Sequence, residues 1–137
     1  MNVSYVDTDV IVRFISGDDP VKMRAATTLF TAVEEGKQTL SCPVTVIADA
    51  VYVLTSRHLY ALDRGLVASA LSALVSLPRF RVAQRPIVQR ALDLFAGTRL
   101  DFGDAMIVAT MEHAGVATLY SYDGDFDRFS TIQRQEP

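Results

Sequence analysis

A chain of 137 residues, half of them hydrophobic and about a fifth charged, is long enough for one substantial core and short of the length that usually carries two. Thirteen basic against sixteen acidic residues give a formal charge of −3, which argues against a protein that coats nucleic acid through a broad basic surface. The longest charge-free apolar stretch, Gly65 to Pro78, contains three serines and falls short of the roughly 20 residues that cross a bilayer. The N-terminus lacks the pattern of a secretory signal and the lone Cys42 has no internal disulfide partner, so the expected compartment is the reducing cytoplasm.

Taken in chain order, "NVSYVD" reads as a strand ending at Asp7, and "TDVIVRFIS" as a helix capped by Asp7 or Thr8 and stopped by Gly17. In "DPVKMRAATTLFTAVEEG", Asp19 is the cap, Pro20 takes the first helical position and Gly36 is the terminator. "QTLSC" is a second strand. Pro43 then opens "PVTVIADAVYVLTS", apolar on almost every side and therefore expected to be a buried helix. A helix from Asp63 to Leu77, a short strand "RFRVA" and a helix "RPIVQRALDLFAG" stopped by Gly97 follow. "DFGDAMIVATMEHAG" repeats cap, apolar face and terminal glycine; "VATLYS" is a strand, and "STIQRQEP" supplies an edge strand after "YDGDFDRF".

Strands alternating with helices predict an α/β fold with a parallel sheet covered on both faces. In such sheets ligands bind beyond the carboxyl ends of the strands, the end that Asp7 and Asp123 occupy. Arginines recur through the middle of the chain while aspartates gather towards both ends, and the carboxylates carry the functional question.

Asp49 is the only charge between Pro43 and Leu54; it marks a chemical site, a buried arginine partner or a narrow exposed stripe. Asp101 reads as a helix cap, whereas Asp104, a turn further in, can point across the sheet's carboxyl edge. Asp123 directly follows a strand, while Asp125 and Asp127 fit a solvated turn. Asp9 either supports the site or caps its helix. Carboxylates gathered from Asp7, Asp49, Asp104 and Asp123 would repel one another, and a hard divalent cation such as Mg²⁺ is the natural remedy. An all-oxygen set does not suit zinc. His58 and His113 lack ligand spacing and are expected at the surface, and Cys42 reads as a small core residue.

These motifs resemble the PIN-domain ribonucleases, specifically VapC-type toxins. "YVDTDVIVRF" looks like their opening strand and helix, "VIADAVYVL" like their acid-bearing helix, "LDFGDAMIVA" like their third acidic motif and "LYSYDGDFDRF" like the closing strand and acid. The resemblance spans nearly the whole chain, in the expected order. It implies a single domain over residues 1–137, a three-layer sandwich whose four or five parallel strands run in the order 3-2-1-4-5 between helices. It implies further that Asp7, Asp49, Asp104 and Asp123 bind Mg²⁺ or Mn²⁺, with Thr8, Asp9 and Ser121 lining the site. An RNA substrate such as tRNA or rRNA, a homodimer and a small VapB-type antitoxin complete what it implies. The sequence departs from that family pattern twice: the second acid is usually glutamate, one methylene longer than Asp49, and Asp9 stands where asparagine is commoner.

Two other readings compete. "VDTDV" also resembles the aspartate pair of haloacid-dehalogenase-type phosphatases, but that chemistry needs a lysine between the two acidic motifs, and Lys22 and Lys37, the only lysines, both come too early. An inert PIN module that binds RNA or a partner without cutting is the second, and it would bind RNA without metal.

Overall fold

Aspartate sets where most of the helices begin. A computed structural model describes residues 3–137, so Asn2, where the first strand is expected to start, lies outside the described residues. After β1 (Val3–Tyr5), Asp7 caps α1 (Thr8–Ser16), and Gly17 closes that helix in the left-handed conformation expected of it. Asp19 accepts the backbone N–H groups of Val21 and Lys22 at the start of α2 (Pro20–Glu34). β2 (Thr39–Ser41) and α3 (Val44–Thr55) follow, then α4 (Arg64–Val75) with Asp63 as cap, and β3 (Phe80–Arg81). α5 (Arg85–Gly97), α6 (Phe102–Ala114) capped by Asp101, β4 (Thr118–Tyr120), a 3₁₀ turn over Gly124–Arg128 and β5 (Gln133–Gln135) complete the chain. Each cap satisfies a backbone donor that the first helical turn cannot, and contributes about 1 kcal/mol.

The buried residues form one core, and most of it is helix against helix. Val67, Leu71 and Val75 of α4 meet Val88, Ala91 and Leu92 of α5, while Ala105 and Val108 of α6 close the same layer. On the other side Phe30 of α2 stands edge-on to Phe14 at 4.8 Å and to Phe80 of β3 at 6.3 Å between centroids. No helix among the described residues is long and apolar enough to cross a membrane.

Three expectations need correction. The sheet is parallel throughout but hydrogen-bonded as two ladders, β1-β2-β3 and β4-β5; each keeps the neighbours of the order 3-2-1-4-5, while no ladder joins β1 to β4 among the described residues. β1 and β4 are three residues each, and Tyr5 and Tyr120 at their ends are exposed. Second, α3 is not buried all round. Ile47, Ala50, Val51 and Leu54 face the core, whereas Thr45, Asp49 and Tyr52, at helical spacing, form an exposed stripe. Third, Gly97 does not stop α5 but is its last residue; Thr98 ends the helix, its hydroxyl donating back to Leu94 O at 2.7 Å.

The turn from α5 to α6 is held by Arg64. Its Nη2 donates to the carbonyl oxygens of Phe95 (2.8 Å), Thr98 (3.2 Å) and Leu100, and its guanidinium lies 3.6 Å over the Phe95 ring. Those carbonyls belong to a helix end and its turn, where intrahelical partners run out. Arg64→Met keeps the bulk and removes the donors, so the variant should lose about 2–4 kcal/mol in urea melts. A loss below about 0.5 kcal/mol would show that water replaces the guanidinium at no cost.

Candidate active site

Each candidate carboxylate is delivered by a strand end or a helix start. Asp7 ends β1, and its Oδ1 accepts the Thr8 N–H at 2.7 Å, which leaves its second oxygen facing solvent. Thr8 is half-buried beneath it. Asp104 sits in the first turn of α6; its N–H donates to Asp101 Oδ1 at 2.8 Å, so the cap at Asp101 fixes where Asp104 stands. Asp123 follows β4 and caps the 3₁₀ turn, its Oδ1 accepting the Asp125 N–H at 2.8 Å.

Ser121 orients Asp123. Its hydroxyl accepts the Asp123 N–H at 3.0 Å, its own N–H donates to Gln135 O of β5 at 2.9 Å, and its carbonyl accepts from Arg134 at 3.1 Å. Arg134 also grips Asp127 with both prongs of its guanidinium, Nε to Oδ1 at 2.9 Å and Nη2 to Oδ2 at 3.1 Å. These hydrogen bonds pull the Asp127 carboxyl below its ordinary range, and together with Glu136 they push the Arg134 guanidinium up. The turn that carries Asp123 is therefore clamped to β5. Neither Arg134 nor the cap that places Asp104 stood out as part of a site in the sequence, because an arginine in a short polar edge strand looks like any solvated residue.

The electrostatic focus is Asp104. Burial first, then the negative fields of Asp101, Asp123 and Asp125, raise its carboxyl above the ordinary carboxylate range. A helix N-terminus favours a carboxylate by up to about 1 kcal/mol, yet the shift is upward, so burial and repulsion outweigh the dipole here. Among the described residues no lysine or arginine forms an ion pair with Asp104, Asp123 or Asp125.

The four expected ligands stand on four different elements: Asp7 caps α1, Asp49 lies within α3, Asp104 within α6, and Asp123 caps the 3₁₀ turn. Asp104 lies in the field of Asp123, Asp7 ends β1 as the cap of α1, and Asp49 is exposed on α3. Asp9 pairs with Arg13 at 3.5 Å and lines the groove between α1 and α2. Among the described residues, no group of three or more acidic, histidine or cysteine side chains is close enough to hold a metal ion. What the residues do fit is a hard cation held by one or two carboxylates with its remaining positions filled by water, which is how Mg²⁺ is commonly bound. His58 and His113 are exposed, and Cys42 is buried in the core, its thiol pushed up to about 12 by burial.

An α/β fold with acidic residues at the carboxyl ends of parallel strands is the class these elements define. The sequence matches the model of the PIN domain over residues 4–132, and the chain belongs to the PIN-domain family. The phosphatase reading finds no support in that assignment. Among solved structures, the chain is similar to Mycobacterium tuberculosis VapC20, a sarcin–ricin loop cleaving toxin, at 17% identity over 93% of this chain and 94% of that one, with a TM-score of 0.40. It is also similar to VapBC2 from Rickettsia felis bound to a DNA fragment from their promoter, at 14% identity over 98% of both chains, with a TM-score of 0.38. No curated protein matches.

Because the folded state holds Asp104 in a place that resists ionisation, this group's contribution to stability is largest at low pH and is lost as pH rises through its raised pKa. At neutral pH Asp104→Asn should raise Tm by about 1–3 °C. Millimolar Mg²⁺ should raise the Tm of the wild type and leave that of Asp104→Asn nearly unchanged in a thermal-shift assay. A variant that melts lower than the wild type and still responds fully to Mg²⁺ would contradict the placement of the ion.

Proposed function

We propose that the protein is a divalent-metal-dependent endoribonuclease, the toxin of a VapBC-type toxin–antitoxin pair. The observation that carries this reading is the uncompensated acidic focus at Asp104 and Asp123, built at the carboxyl edge of a PIN domain. Asp104 and Asp123 would hold Mg²⁺ or Mn²⁺, with Asp7 and Asp49 approaching from β1 and α3. When bound, the ion supplies an activated water and neutralises charge on the phosphate. The chain's own residues do the positioning: Asp101 fixes Asp104, Ser121 and Arg134 fix Asp123, and Thr8 anchors Asp7 through its N–H. The motif resemblance supports a homodimer in the cytoplasm, an RNA substrate such as tRNA or rRNA, and a small VapB-type antitoxin that blocks the site.

A second reading, an inert PIN module that binds RNA without cutting it, is favoured by the lack of a three-carboxylate cluster among the described residues. Incubating the purified protein, freed of any antitoxin, with total RNA and Mg²⁺ or Mn²⁺ separates the two. The enzyme produces new discrete ends that EDTA abolishes, whereas the inert module produces none.

In that assay Asp104→Asn, Asp123→Asn and Asp7→Asn should each cut about a hundredfold more slowly or worse. Asp101→Asn should stay within a few-fold of wild type, because asparagine still caps a helix. Equal loss at 101 and 104 would show that the cap, and not the ligand, is what the site requires. Asp49→Glu should keep or raise the rate, since the exposed stripe of α3 leaves room for the longer side chain. If Asp49→Ala cuts as fast as wild type at limiting Mg²⁺, Asp49 is no part of the site.

A further inference from the structure

Two helices lack the aspartate that opens the other four. α3 begins at Pro43 and α5 at Gln84, neither with a side-chain cap, and residues at both starts line one cleft of about 450 Å³ at the carboxyl ends of β1, β2 and β3. Tyr5, Ser41, Pro43, Arg81 and Arg85 line it, and no acidic residue does. In a chain of charge −3, a cleft with two guanidiniums and no carboxylate is a local reversal of sign.

The two arginines are differently held. Arg85 is fixed, its Nη2 donating to Phe80 O at 2.7 Å while its Nε is buried without a partner among the described residues. Arg81 is exposed on β3, and its guanidinium forms no hydrogen bond or ion pair among the described residues. Opposite them Tyr5 stands 73% exposed. It is an aromatic face that folding has left in water despite its apolar area.

We infer that this cleft holds a stretch of single-stranded RNA, with a base stacked on Tyr5 and the adjoining phosphate gripped by Arg81 and Arg85. The inference rests on the ribonuclease reading and names how that site takes its substrate. Guanidinium forks match phosphate oxygens, and the positive ends of the α3 and α5 dipoles add to the same attraction. An aromatic ring stacks on any unpaired base, while a duplex keeps its bases inside. Tyr5 precedes Asp7 by two residues, a reach of about 7 Å, so a strand seated on Tyr5 continues directly past the end of β1. An acidic peptide would satisfy the arginines but has no use for the exposed ring, which is why RNA is the better occupant.

The test is fluorescence anisotropy with a labelled single-stranded oligoribonucleotide in EDTA, where binding is read without turnover. Arg81→Gln and Tyr5→Ala should each weaken binding about tenfold, and Arg81→Gln should also lower the salt dependence by about one ion. Arg81→Lys should recover part of the loss, since it restores the charge and not the fork. The same sequence as a duplex should bind less tightly than the single strand. Among the described residues neither side chain makes a hydrogen bond or ion pair, and unchanged melting curves would certify the variants' folds. Wild-type affinity in both variants, or equal competition by an oligoglutamate peptide, would overturn the assignment. Cleavage measured in Mg²⁺ on the same proteins keeps the two readings apart. If the wild type cuts and the variants cut with unchanged KM, the cleft fails and the nuclease stands; if nothing cuts but the binding losses appear, the nuclease fails and the cleft stands.

Discussion

The position of the acidic site depends on one guanidinium. Arg64, the first residue of α4, reaches the end of α5 and binds the carbonyl groups that the helix and its turn leave without partners, while its flat face rests on Phe95. Burial pulls its pKa down and the nearby Asp101 carboxylate partly restores it, so the cation is held both by carbonyl dipoles and by the residue that caps α6. Three helices are thereby set in register by a single side chain. Since Asp101 in turn receives the Asp104 N–H, the half-buried arginine is linked through Asp101 to Asp104. An arginine suits this place because its flat guanidinium rests on the Phe95 ring while Nη2 donates to the carbonyls.

The same aspartate residue type does opposite work in different places. At Asp19 and Asp63 the carboxylate meets backbone N–H groups and stabilises a helix start. At Asp104 it meets burial and three like charges, and it costs stability that packing elsewhere offsets. On the proposed reading a cation, and the phosphate brought with it, satisfy such a site, whereas a bare acidic edge would repel RNA. The arginine-lined cleft beside β1 answers that problem on the proposed reading: it attracts the strand where no carboxylate opposes it.

Much of this was legible in the sequence, and the reasons are local. Helix boundaries carry their own signals, and Asp7, Asp19 and Asp101 cap helices where the sequence offered them as caps. Parallel strand pairing followed from alternation of strands and helices, and the PIN-domain assignment from four motifs in order. What escaped was set by distant contacts. That Thr45 and Tyr52 share the exposed stripe offered as one reading of Asp49 is hidden in a run of apolar letters, because threonine and tyrosine read equally well as core. Ladders among the described residues are three residues long or shorter, and no pattern that short predicts its neighbour. Arg64, Arg81 and Arg134 differ only in their surroundings, which the sequence does not carry.

The central claim is that water, activated at a divalent cation held by Asp104 and Asp123, cuts the RNA backbone. The most direct measurement is the chemistry of the new ends after cleavage of a defined single-stranded RNA in Mg²⁺. Attack by water leaves a linear phosphomonoester on one product and a hydroxyl on the other, with no cut in EDTA, and this is the outcome the account predicts. Products ending in a 2′,3′-cyclic phosphate, formed equally well without metal, would mean that the neighbouring ribose hydroxyl is the nucleophile, and would contradict it.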